Sequence, residues 1–182
     1  MGVFEKMERK HLEHLIRAAS SIVDDAELVI VGSQSVLGQF PDAPDSLKVS
    51  MEADMYPSNR PELADLIEGS IGEGSPFEQT FGYYAQGVSP GTAILPRGWE
   101  GRLTKVQNEN TRYATGYCID VHDLVLSKYV ANRPKDIDFN REVIRSKMVE
   151  FDTLINRVEL LPVSENDQKR IVNYIRRDFG LA

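Results

Sequence analysis

A short apolar run, Glu27 to Val31, ends in Gly32-Ser33, and about twenty residues further on the chain reads Glu52-Ala53-Asp54. Side chains in a strand alternate between faces. A strand here would place Glu52 and Asp54 side by side with Lys48 and Ser50, while Leu47, Val49, Met51, Ala53 and Met55 point into a core. Two anions that close repel, and a shared proton, a basic partner or a bound divalent cation relieves them. Mg²⁺ suits the pair: it takes one or two protein carboxylates and leaves its other positions to water and phosphate oxygens. Gly32 lets the backbone turn sharply towards a ligand, and Ser33, opening a short helix, offers a hydroxyl and free N–H groups to an anion. Taken singly, the turn reads as a helix N-cap and the acidic pair as a solvated strand face. Taken together, they suit a cation and a phosphate chain.

The elements that must position these groups follow from periodicity. Glu5 to Val23 carries Leu12, Leu15, Ile16, Ala19 and Ile22 or Val23 at helical spacing, and Asp24-Asp25 ends that helix. Glu27 to Val31 reads as a buried strand and Ser33 to Leu37 as a short helix. Pro41 and Pro44 make a loop before the acidic strand, and Pro61 opens a helix carrying Leu63, Leu66 and Ile67. Gly69 to Pro76 is glycine-rich, but its order does not match the dinucleotide pattern, and it reads as a surface turn. Strands are expected at Phe81 to Val88, Leu103 to Val106 and Tyr113 to Ile119. Helices are expected at Val121 to Asn132, at Ile137 to Leu161 with an interruption, and at Ser164 to Phe179, with a break at Pro134. This order predicts an α+β fold: a mixed-sheet core over residues 1–120 and a helical region over 121–182 packed on it as one unit.

Bulk properties narrow the function classes. The chain has 182 residues, 41% of them hydrophobic, enough for one buried core. Its net charge of −7 argues against general nucleic-acid binding. The charge is uneven, with ten basic and nineteen acidic residues over 1–126 but eleven and nine over 127–182, so the C-terminal third is the better surface for phosphates. A single cysteine, Cys118, excludes an internal disulfide and a Cys-rich metal centre. Met1 to Lys10 mixes charges, and no run is long enough to span a bilayer, so a cytoplasmic protein without membrane contact is expected. His122-Asp123 lacks the further His and Asp ligands of a metal phosphohydrolase, which leaves His122 structural and Asp120 or Asp123 a helix cap.

The Gly-Ser turn followed by a Glu-x-Asp strand resembles the nucleotidyltransferase superfamily with the DNA polymerase beta-like core. More closely, four segments resemble the bacterial nucleotidyltransferase family DUF6036: Val31 to Pro41, Ser50 to Asp54, Leu95 to Leu103, and His122 to Lys128 continuing through Asn132 to Asp136. That family is similar in turn to the AbiEii-type toxin nucleotidyltransferases. The resemblance runs from about Leu12 to Leu161 and implies a nucleotidyltransferase-like sheet that transfers a nucleoside monophosphate from an NTP with Mg²⁺ or Mn²⁺. It further implies an acceptor that is an RNA end, a protein hydroxyl or a small molecule, and, from the toxin kinship, an antitoxin-like protein partner. By the same resemblance Glu52 and Asp54 hold the metal, Gly32 and Ser33 the phosphates, and Lys128 and Asp136 complete the catalytic set. Lys128 is expected to face solvent and the triphosphate. Arg133 and Lys135 fit either nucleotide binding or plain surface charge. Many superfamily members place a third carboxylate on a later strand, where this chain has Gln86, which is neither a base nor an anion. Asp120 or Asp136 folding inward would restore it. Without it, the alternative is an inactive nucleotide-binding or interaction module, or a structural subunit with Glu52 and Asp54 salt-bridged.

Overall fold

The computed structural model describes residues 5–181, so the first four residues of the mixed-charge N-terminus lie outside it. The chain runs α1 (Arg9–Val23), β1 (Glu27–Val31), α2 (Val36–Gln39), β2 (Glu52–Pro57), α3 (Ala64–Ile71), α4 (Pro76–Phe81), β3 (Tyr84–Gly87), β4 (Thr104–Val106) and β5 (Thr115–Cys118). Four helices follow: α5 (Val121–Ala131), α6 (Pro134–Arg145), α7 (Phe151–Val158) and α8 (Glu165–Asp178). The fold is α+β, built on one mixed sheet of order β3-β2-β1-β5-β4. β1 lies antiparallel to β2 and parallel to β5, β3 is parallel to β2, and β4 is antiparallel to β5.

β1 is the centre of the sheet, and Leu28 to Val31 are all buried, as a strand covered on both faces requires. α1 buries Leu12, Leu15, Ile16 and Ala19 against it and starts at Arg9 rather than Glu5, because Glu8 and His11 form a reciprocal cap there. The packing is close: a Cβ on Gly116 of β5 would stand 2.4 Å from Ile16 Cδ1. α3 crosses β3 more tightly still, where a Cβ on Gly87 would stand 2.0 Å from the Ala64 carbonyl oxygen. In the C-terminal region Asp120 caps α5, left-handed Asn132 ends it, Pro134 opens α6 and Ser164 caps α8. Asp123, fully buried on α5, accepts hydrogen bonds from Arg102 and Arg157, which ties the segment before β4 and helix α7 to α5.

Two strands are shorter than the alternation suggested. β2 begins only at Glu52, because Asp45–Leu47 is a 3-10 turn after Pro44. Lys48 is buried, its carbonyl accepting the Met7 N–H at 2.9 Å, while Val49 is 69% exposed, the reverse of the expected facing. The expected strand from Phe81 is split. Ser75 caps α4 by accepting the Glu78 N–H, left-handed Gly82 ends that helix, and β3 starts at Tyr84. Among the described residues no helix is long and apolar enough to cross a membrane.

Two glycines, one at the α3–β3 contact and one on the exposed side of α3, should respond in opposite ways. Gly87→Ala drives a methyl into backbone and is expected to cost about 1–3 kcal/mol. Gly69→Ala, in the exposed middle of α3 with nothing within 4 Å, should gain about 0.5–1 kcal/mol. Urea denaturation midpoints of the two variants check both signs.

Candidate active site

At one end of the sheet, β2, the turn after β1, β3, α5 and the start of α6 surround an open cleft of about 570 Å³. Strand register builds its floor: Asp54 sits opposite Val31 on one side and Gln86 on the other, and Glu52 sits beside Tyr84. Glu52, Asp54 and Gln86 all line the cleft, together with Gly32, Ser33, Lys128, Arg133 and Lys135. Asp136 and Asp120 are not in its lining.

Gly32 adopts φ 71°, which side-chain-bearing residues seldom do, and a Cβ there would lie 2.6 Å from Asp54 Oδ2. The turn is locked from below: Ser35 Oγ donates to the Gly32 carbonyl at 2.7 Å, and buried Gln34 donates to the Ser50 carbonyl at 2.9 Å. The helical segment after Gly32 is only three residues of 3-10 helix and the four of α2, too short for a substantial macrodipole. Positive charge in the cleft therefore comes from side chains.

Asp54 is the least satisfied group in the site, its Oδ1 buried without a hydrogen-bond partner. Burial, and after it the neighbouring Glu52, pushes the Asp54 carboxyl up to about 6, against a smaller downward pull from Lys128, Lys135 and Arg133. Glu52 accepts the Tyr84 hydroxyl at 3.0 Å, and burial with that bond raises the Tyr84 pKa.

Lys128 is not the solvent-facing lysine expected. It is 7% exposed, donates to Ser33 Oγ at 2.8 Å and to Asp136 Oδ1 at 3.1 Å, and holds its Nζ 4.3 Å from the Phe139 ring centroid. Burial lowers its pKa and Asp136 opposes that. Asp136, fully buried, also accepts from Arg133 Nε at 2.7 Å and from the Arg133 N–H at 3.1 Å. Burial alone would raise the Asp136 carboxyl, but Arg133 and Lys128 outweigh it and hold the group below its ordinary value. Asp136 thus buttresses Lys128 and Arg133 from beneath the cleft.

Asp120 does not fold inward. It caps α5 and accepts from Gln39 at 3.1 Å and Arg157 at 2.6 Å, and His122 and Arg157 keep its pKa low despite burial. His122 is structural, with Nε2 accepting the Glu150 N–H at 3.0 Å. Sequence reasoning missed Thr92 and Ala131 of the cleft lining, and Tyr84, which bonds Glu52. Tyr84 was within reach, since alternation puts it on the same face as Gln86.

The mixed sheet thus carries a Gly-Ser turn apposed to an acidic strand pair and ringed by three basic side chains. The chain matches, over residues 10–178, the family described as Nucleotidyltransferase of unknown function (DUF6036), and it belongs to that family. No curated protein and no solved structure matches the chain.

The raised Asp54 pKa carries a signed consequence for the ligand-free protein. A carboxyl whose folded pKa, about 6, exceeds its unfolded value of about 3.9 contributes stability that is complete below about pH 4 and lost as pH rises through 6. One pKa unit is worth about 1.4 kcal/mol, so the loss is on the order of 2–3 kcal/mol. His11 and His14, whose pKa values burial lowers, give the opposite slope in the same range. The quantity to measure is therefore the stability difference between wild type and Asp54→Asn from pH 4 to 7.5. It should shift in favour of the variant as pH rises, and a flat difference would refute the assignment.

Proposed function

We propose that this protein transfers a nucleoside monophosphate from an NTP to an acceptor hydroxyl in a Mg²⁺- or Mn²⁺-dependent reaction. One observation carries the reading: Glu52 and Asp54 meet Gly32-Ser33 and three cationic side chains in a single cleft, with one buried Asp54 oxygen left without a partner. The residues fit a hard divalent cation. Two adjacent carboxylates supply anionic oxygens, and no group of three or more His, Cys, Asp or Glu side chains gathers among the described residues, so substrate oxygens and water would fill the remaining positions. A cation held by Glu52 and Asp54 would neutralise the pair and draw charge from the phosphoryl oxygens.

The protein's own groups divide the rest of the work. Gly32 lets backbone come close to the phosphates, and Ser33, accepting from Lys128, keeps its hydroxyl hydrogen for a phosphate oxygen. Lys135 and Arg133 add charge along the cleft wall, so Arg133 serves both the Asp136 buttress and the ligand. Asp136 acts as a positioning residue. In the transfer, the acceptor oxygen bonds to the α-phosphorus, the bond from that phosphorus to the β-bridging oxygen breaks, and pyrophosphate leaves. The hydroxyl proton goes to Glu52, Asp54 or water, since the cleft lining holds no third carboxylate.

That last point favours a second reading, a nucleotide-binding module with little turnover, because Gln86 stands beside Asp54 where a further carboxylate would act as base and ligand. Labelled NTP with Mg²⁺ or Mn²⁺, offered total RNA, total protein and small hydroxyl compounds, tests transfer and separates the acceptor classes.

Mg-NTP should raise the melting temperature, and Asp54→Ala should remove most of the rise. At a hundredfold excess over the dissociation constant the linkage is worth about 2.7 kcal/mol, well within reach of a melting assay. Equal shifts in both proteins at saturating Mg-NTP would defeat the metal assignment.

Gln86→Asp, which adds a base and a ligand next to Asp54, should raise the transfer rate by up to about 10²–10⁴-fold with little change in nucleotide affinity. Single-turnover rates with a labelled NTP measure it. A variant slower than wild type would show that neutrality at position 86 serves the reaction.

A further inference from the structure

The cleft continues past the carboxylates in two directions of different chemistry. Beyond Asp54 a slot of about 310 Å³ runs between the segment after β3 and the last turns of α5. Beyond Glu52 a second arm of about 440 Å³ runs between the turn before β2 and α6. Both share Lys128 with the central cleft. A nucleoside triphosphate bound at the centre must send its phosphates one way and its sugar and base another.

We infer that the slot beyond Asp54 takes the nucleoside, that it does so without selecting among the four bases, and that the arm beyond Glu52 is left to the acceptor. The inference rests on the nucleotidyltransferase reading and adds the location and specificity of its nucleoside end.

Charge and apolar surface separate the arms. Outside the residues it shares with the central cleft, the slot contains no ionisable side chain, and Ala93, Ile94, Leu124 and Val130 make it apolar. Ile94 is 38% exposed and Ala131 is exposed, so the walls are open to a ligand face. A base presents two flat apolar faces and no charge, which matches. The other arm carries Asp138 and Glu142, both unfavourable to a polyphosphate-bearing nucleoside. Its one aromatic ring, Phe139, is 9% exposed and already lies under Lys128 Nζ, so it offers no free face for stacking.

Base tolerance follows from what the slot lacks. Discrimination between bases needs fixed donors and acceptors that are left unpaired by the wrong partner. Asp54, Lys128 and Arg133 stand where the slot meets the central cleft; beyond them its side chains offer only the hydroxyls of Thr92 and Ser127, and Thr92 Oγ1 already lies 3.3 Å from Ser89 Oγ. Apolar contact remains, and it scales with ring area, so purines should lead pyrimidines modestly.

The experiment is a calorimetric comparison of ATP, GTP, CTP, UTP and inorganic tripolyphosphate, each with Mg²⁺, on wild type, Ile94→Trp and Val49→Phe. Ile94 lines the slot and not the central cleft, and its half-exposed side chain lets Ile94→Trp fill the slot. Val49→Phe fills the opposite arm from an exposed position. Wild type should bind the four NTPs within about tenfold of one another. Ile94→Trp should weaken every NTP by about tenfold or more while changing tripolyphosphate less than about twofold, and Val49→Phe should leave all five nearly unchanged. Weakening by Val49→Phe in place of Ile94→Trp would put the nucleoside in the other arm and overturn the inference. A preference above about a hundredfold for one base would overturn base tolerance. NTP and tripolyphosphate binding unaffected by Ile94→Trp would sink the slot alone, whereas a wild type that binds neither ligand would sink the nucleotidyltransferase reading with it.

Discussion

The structure depends on one close approach, that of the Asp54 carboxylate to the backbone of Gly32. With Oδ2 only 2.6 Å from where a Cβ would sit, no other residue fits at position 32 without displacing the acid. The approach is set by the pairing of Val31 with Asp54 across β1 and β2. That pairing is set in turn by Ala53 and Met55, fully buried on the opposite face. A slip of one residue would carry Glu52 and Asp54 into the core and those apolar groups into the cleft, at a cost no small domain can bear. Core packing, turn geometry and the acidic pair are therefore one constraint seen at three places.

The C-terminal helices join this constraint through buried charge. Asn132 in the left-handed region and Pro134 at the head of α6 make a tight corner, which places Lys128 in the last turn of α5 close to Arg133 and Lys135. Asp136 satisfies two of the three cations from below, and Lys128 reaches across to Ser33. A buried ion pair is weak support for stability, because desolvation offsets most of its attraction. Its effect here is orientation. With its ammonium held between Ser33 Oγ and Asp136, Lys128 has little rotamer freedom left to lose when an anion arrives.

Much of this was legible in the sequence, and what was not has identifiable causes. α1, β1, α5 and α8 announced themselves by periodicity and caps, and the shared face of Glu52 and Asp54 followed from a period of two. Residues 47 to 51 alternate like a strand, yet Pro44 starts a 3-10 turn whose partner is the distant Met7, a tertiary contact that periodicity does not encode. α4 was missed because it is six residues long between glycine-rich segments, although Ser75-Pro76-Phe77-Glu78 carries a helix-start signature. The burial of Lys128 was invisible for a different reason: its partners lie on three separate elements, and only the fold brings them together.

Charge balance bears on the proposed pairing of a cation with a polyphosphate in the cleft. Around its centre three acids, Glu52, Asp54 and Asp136, face three bases, Lys128, Arg133 and Lys135, so the ensemble is close to neutral. A neutral cleft holds neither a bare divalent cation nor a bare polyphosphate strongly, but each one recruits the other. A third carboxylate at position 86 would tilt the balance towards the cation, and Gln86 leaves it level. Burial, with Glu52 beside it, raises the pKa of Asp54 against the pull of these three bases. On the proposed reading, a divalent cation bound with a nucleotide would stand above about pH 6 where a proton stands below it.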